Sequence, residues 1–95
     1  MSTNDKNIAV MTVVGSDAVG IIAKISTILA DNDINIKDIT QTILDDIFTM
    51  IMIIDLSSSK IDMESLSKLL CEVGESRNLS IRVQLKELFN TMHRI

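Results

Sequence analysis

Val14-Gly15-Ser16-Asp17-Ala18-Val19-Gly20-Ile21-Ile22-Ala23 joins a β-branched run to an amphipathic stretch and contains two of the chain's three glycines. Glycine has no Cβ, so it accepts positive φ and lets a ligand or another backbone come close. A tight strand-to-helix turn uses both freedoms. The helix that follows begins with unpaired backbone N–H groups and the positive end of its dipole, which suit a carboxylate or a phosphate. Asp17 beside such a site repels a phosphate and welcomes an ammonium group, so a zwitterion such as a free amino acid fits better than a nucleotide. The same residues admit a plainer reading, in which Asp17 caps the helix and Gly20 permits close helix contact.

On the N-terminal side of this turn, Asn7 to Val14 reads as a strand that is apolar at nearly every position, as if both faces were covered. On its C-terminal side Ile21, Ile22, Ile25, Ile28 and Leu29 recur at helical spacing, and the helix ends near Ala30-Asp31-Asn32-Asp33 with Asn32 as the expected left-handed residue. Ile34 to Leu44 is a second strand whose apolar phase changes between Ile36 and Ile39, which predicts a kink near Lys37-Asp38. Asp45-Asp46 is a hairpin turn, expected to be longer by a residue or two because it lacks glycine. Ile47 to Leu56 is a third strand, doubly apolar and so central.

Ser57-Ser58-Ser59-Lys60 is a loop, after which Asp62 caps a second helix carrying Met63, Leu66, Leu69, Leu70 and Val73, with Gly74 near its end. Leu79 to Lys86 alternates, with Leu79, Ile81, Val83 and Leu85 inward, as in an edge strand with one wet face. The tail from residue 87 to 95 can add a short helix through Leu88, Phe89 and Met92. The order is βαββαβ. Right-handed crossovers then give an α+β, ferredoxin-like sandwich: a four-stranded antiparallel sheet, first and third strands in the middle, two helices on one face. Its open face is expected to carry an apolar patch that a second copy covers, and a symmetric dimer brings two glycine turns near the subunit boundary.

A chain of 95 residues is one domain, here residues 1–95 with a polar leader (1–6) and a tail (87–95). With 46% hydrophobic and 2% aromatic residues the core must be Ile, Val, Leu and Met. The polar start lacks a signal-peptide core and no apolar run is long enough to span a bilayer, so a cytoplasmic protein with no membrane contact is expected. Cys71 is alone, which excludes an intrachain disulfide and a Cys-x-x-Cys metal pair, and it is expected to be a small, inert core or boundary side chain. A net charge of −4 argues against a nucleic-acid partner.

Three motifs in order, Val14-Gly15-x-Asp17-x-x-Gly20-Ile21-Ile22-Ala23, Asn35-Ile36-x-Asp38-Ile39-x-Gln41 and Phe48-x-Met50-x-Met52, resemble an ACT domain over nearly the whole chain. The nearest resemblance is to the small stand-alone ACT proteins grouped with the glycine cleavage system transcriptional repressor family. It implies a regulatory module that binds an amino acid or similar small ligand at a homodimer interface. By position, the implied ligand-binding residues are Asp17, Ala18, Val19, Gly20 and Ile21, with Asn35 and Ile36 facing them. The Asn35 amide can bond either end of a zwitterion, or can simply satisfy local backbone. Asp38 and Gln41 are weaker candidates.

Other uses of this fold can be weighed against the residues. An acylphosphatase-like enzyme needs an Arg at the first turn, and Arg77, Arg82 and Arg94 all lie in the last quarter of the chain. An RNA-binding sheet needs stacking aromatics and basic charge, and Phe48 stands alone on the central strands. Ser16 and Asp17 cannot supply a metallochaperone's thiolate pair. His93 reads as a solvent-exposed bystander, and Met11, Met50 and Met52 read as core and interface filler. No catalytic residue, metal ligand or cofactor is therefore expected. The competing function is a protein-interaction subunit with no ligand of its own that associates with an enzyme or a transcriptional regulator, and dimers can assemble further into a higher oligomer.

Overall fold

The computed structural model describes residues 7–16 and 20–86. In chain order these form β1 (Ile8–Gly15), α1 (Ile21–Asp31), β2 (Asn35–Leu44), β3 (Ile47–Asp55), α2 (Met63–Arg77) and β4 (Leu79–Leu85). The leader, Asp17-Ala18-Val19 and the tail from 87 onward lie outside the described residues. The sheet is antiparallel in the order β2-β3-β1-β4, so the two doubly apolar strands are central, as their lack of alternation requires.

Ala9, Met11 and Val13 of β1 and Phe48, Met50, Met52 and Ile54 of β3 share one face and form a single buried cluster with Ile21, Ile25 and Leu29 of α1 and Leu66, Leu70 and Val73 of α2. Met11 and Met52 stand directly opposite each other in this layer, fully buried, which makes the methionines core filler. Along β2 the pairing with β3 shifts between Ile36 and Asp38. The bulge at Lys37 absorbs one residue, and that is how Ile36 and Ile39, an odd number of residues apart, both face the helix layer.

Several local expectations are corrected. At the end of α1 the left-handed residue is Asp33 (φ 57°), not Asn32 (φ −108°). The Asp33 N–H donates to the Ala30 carbonyl and the Ile34 N–H to the Leu29 carbonyl, a Schellman end sealed by buried Leu29 and Ile34. Asn32 instead donates its side-chain amide to the Ile28 carbonyl at 2.9 Å. The Asp45-Asp46 turn is no longer than two residues, since Leu44 pairs directly with Ile47, and Asp45 takes the positive φ (56°) that glycine would otherwise supply.

In α2 the Ser65 N–H donates to Asp62 Oδ1 at 2.8 Å, so Asp62 is the cap. Gly74 lies near the end of this helix, as expected, and α2 continues to Arg77 and stops at left-handed Asn78 (φ 61°). Gly74 is needed for proximity, because a Cβ there would lie 2.7 Å from the Leu79 carbonyl oxygen. Leu69 and Leu85, expected inward, are exposed, as is Cys71, which lies one residue past the buried stripe. On the open face Ile8 and Val10 are buried, and exposed apolar side chains gather at the hairpin end: Val14, Leu44, Ile47 and Ile51. The oily surface is thus off-centre.

Candidate ligand site

Gly20 is the N-cap of α1 with φ 74°, and the space beside it is open: a Cβ would meet only Arg77 Nη1, at 3.6 Å. The glycine therefore serves backbone conformation and not close helix contact. Having no side chain, the cap bonds none of the first N–H groups, and the first turn of α1 carries no acidic residue to offset its dipole. Gly15 plays a different part. A Cβ there would overlap the Leu79 side chain, so β1 and β4 meet closely where the turn begins.

Arg77, at the last position of α2, thus brings a guanidinium to the start of α1. This corrects the expectation that no arginine stands at the first turn. Chain position concealed it, but topology did not, because Leu79 pairs with Gly15 and Arg77 precedes Leu79 by two residues. A helix N-terminus and an arginine side by side favour an anion, and guanidinium geometry favours a carboxylate or phosphate.

The other candidates divide. Ile21 is fully buried and offers a ligand only its backbone. Asp17, Ala18 and Val19 lie outside the described residues. Asn35 and Ile36 are at the opposite end of the sheet: Asn35 lies level with Asp55 and Ile8, whereas the turn lies level with Phe48 and Ile43. Seven strand residues of about 3.3 Å separate those levels, or about 23 Å. One chain does not bring Gly20 and Asn35 together.

Asn35 belongs instead to a shallow cleft of about 470 Å³ that also involves Ala30, Asp33, Ile34 and Ser58, below the C-terminal end of α1. Asp55, directly across from Asn35, accepts the Ser57 hydroxyl at 2.6 Å and the Ser57 N–H at 2.9 Å. Those bonds, the hydroxyl's first, with the Lys37 charge, hold its carboxyl below the ordinary carboxylate range. Asp33 faces Lys60 at 3.8 Å, both exposed. One end of the protomer suits an anion, while the other, with carboxyl groups and an amide, suits an ammonium group. Among the described residues no polar or charged side chain is buried and no group of His, Cys, Asp or Glu could hold a metal. No helix among them is long and apolar enough to cross a membrane.

The sheet order and the two-helix layer define an α+β, ferredoxin-like domain. Residues 7–84 match the ACT domain family, and the chain belongs to it. A UPF0237 protein of Clostridium perfringens is 51% identical over 87 residues, spanning 92% of this chain and 98% of that one. An ACT domain protein from Streptococcus pneumoniae superimposes with a TM-score of 0.74 at 38% identity, over 86% of this chain and 92% of that chain. A structure described as a candidate glycine cleavage system transcriptional repressor superimposes with a TM-score of 0.70 at 25% identity, over 81% of this chain but 44% of its own. ACT domains are in general regulatory, ligand-binding modules.

Proposed function

We propose that this protein is a non-enzymatic regulatory module of the cytoplasm that binds a free amino acid, or a similarly small zwitterion, in clefts between two copies of the chain. The observation that carries the reading is the separation of an anion-favouring end (Gly20, Arg77) from an amide- and carboxylate-bearing end (Asn35, Asp55) on one protomer. A zwitterion spans only a few ångströms, so the two ends serve one ligand only when a second copy supplies one of them. The ligand carboxylate then sits on the backbone N–H groups of Gly20 and Ile21 with Arg77 beside it. Asn35 and Ile36 of the other copy close the cleft, and Asp17, Ala18 and Val19 belong to the same proposed ligand-binding set. Regulation follows only if the ligand binds two states of the dimer or its target with different affinity.

Titration calorimetry of the purified protein against each common amino acid tests this, with Gly20→Ala and Asn35→Ala as controls. Saturable heat with one or a few amino acids, lost in both variants, is the expected result. Absence of heat with all of them removes the ligand reading, and a stoichiometric foreign protein in affinity purification then favours an interaction subunit.

A further inference from the structure

On the open face of the sheet, burial falls away from one end to the other. Ile8 and Val10 of β1 are both 4% exposed, yet neither belongs to the cluster formed with α1 and α2, which lies on the opposite face. Val14, on the same strand and the same face, is 38% exposed, and Ile47 and Leu44 beyond it are 53% and 71% exposed. Strand β3 repeats the trend with a single residue type: Ile53, paired with Val10, is half-buried, whereas Ile51, two residues nearer the hairpin, is exposed. On a bare face Ile8, at the end of its strand, would be no less exposed than Val14, because fewer side chains surround it. A cover over the Ile8 end is what this order requires.

We infer that this cover is the chain's own C-terminal segment, residues 86–95, laid as an amphipathic helix across the Ile8 end of the open face. β4 ends at Leu85, paired with Ala9, so the segment starts beside Ile8. Lys86, the last described residue, already has helical geometry. Leu88, Phe89, Met92 and Ile95 follow at i, i+1, i+4 and i+7, one apolar stripe with Asn90 and Arg94 off it. The leader enters at the same end of the sheet, but Ser2 to Lys6 are polar and have nothing to bury against Ile8 and Val10. Length agrees as well. Ten helical residues span about 15 Å, the rise of about 4.5 strand residues, which carries the helix from the level of Ile8 to about that of Thr12. Val14, Ile47 and Leu44 are left bare, as their exposures show. The Ile8 end of the open face is thus filled by the chain itself and not by a second copy, and a partner meets the apolar part of that face only at the hairpin end.

Thiol labelling of the full chain tests it in a Cys71→Ser background, which removes the exposed native thiol. Val10→Cys is expected to react with a maleimide at least about tenfold more slowly than Val14→Cys, at a rate that dilution does not change, because the cover is intramolecular. Phe89→Asp is expected to raise the Val10→Cys rate at least about tenfold and to leave Val14→Cys unchanged, while Asn90→Asp alters neither. The chain has no tryptophan or tyrosine, so Phe89→Trp and Asn90→Trp report on the two sides of the segment without placing a charge against the sheet. Emission from Phe89→Trp is expected at the shorter wavelength, and this pair decides the matter if Phe89→Asp prevents folding. Equal labelling of Val10→Cys and Val14→Cys, a Val10→Cys rate unmoved in folded Phe89→Asp, or equal emission from the two tryptophan variants overturns the inference. Protection of Val10→Cys that disappears on dilution also overturns it and assigns the cover to a second copy. None of these readouts involves an amino acid, so the result stands apart from the ligand reading.

Discussion

Arg77 places its guanidinium Nη1 3.6 Å from where a Cβ on Gly20 would stand, although most of the chain lies between them. The contact is a product of topology: α2 ends where β4 begins, and β4 begins against the end of β1. It puts a permanent cation beside the N-terminal end of α1 and so biases the glycine turn toward ligands that carry a carboxylate.

Replacing Arg77 by alanine is expected to weaken amino-acid binding about tenfold, the loss of roughly one charge-assisted bond, with Arg77→Lys keeping only part of the affinity. The alanine variant also loses a favourable charge at the α2 C-terminus, worth about 0.5 kcal/mol. Calorimetry and urea unfolding on one preparation separate the two effects. A stability change without a binding change would show the guanidinium to be only a helix-end charge.

Gly74→Ala ordinarily favours a helix by about 1 kcal/mol, yet here its Cβ would lie 2.7 Å from the Leu79 carbonyl oxygen, which belongs to backbone and cannot swing aside. Net destabilisation of about 1–3 kcal/mol is expected in urea unfolding, because α2 must lift from β4.

Asp33→Gly is expected to act in the opposite direction. Asp33 holds φ 57° at the end of α1, and its side chain makes an exposed 3.8 Å ion pair with Lys60. Glycine adopts that conformation without strain, so a gain of about 0.5–1 kcal/mol is expected, offset by little from the ion pair. A thermal melt showing lower stability would mean the carboxylate does more than occupy the turn.

Acid sensitivity has a defined sign. The Ser65 N–H holds the Asp62 carboxyl below its ordinary value, as the two Ser57 bonds do for Asp55. A carboxyl whose pKa is lower folded than unfolded contributes stability that is fully present above about pH 4 and is lost as pH falls through the folded value. Melting temperature is therefore expected to decline below about pH 4, and less steeply in Asp62→Asn, which keeps an acceptor for Ser65 without a titrating group. Identical acid limbs in the two proteins would dismiss the cap as the origin.

The elements were legible because their signals are local: double apolarity marked β1 and β3 as central, and the phase change in β2 announced the bulge at Lys37. Where local signals compete, the outcome depended on neighbours. Asn32 is the more tolerant left-handed residue by type, but its amide reaches the Ile28 carbonyl and the turn passes to Asp33. The sequence shows Gly74 near the end of α2, but that β4 passes too close there for a side chain depends on the packing. Of the site, the backbone conformation of Gly20 was readable from the motif. The placing of Arg77 beside it required the strand order, and the distance from Gly20 to Asn35 required the register.

The irregularity at Lys37 also bears on how chain length can vary. Because Ile36 stays level with Ile54 and Asp38 with Ile53, excising Lys37 would let the strand run straight while every other side chain kept its layer. The same excision anywhere from Asp38 to Leu44 would swap core for solvent along the rest of the strand. Insertions and deletions among relatives are thus expected to collect at this one spacer, where the ruler of the sheet has slack.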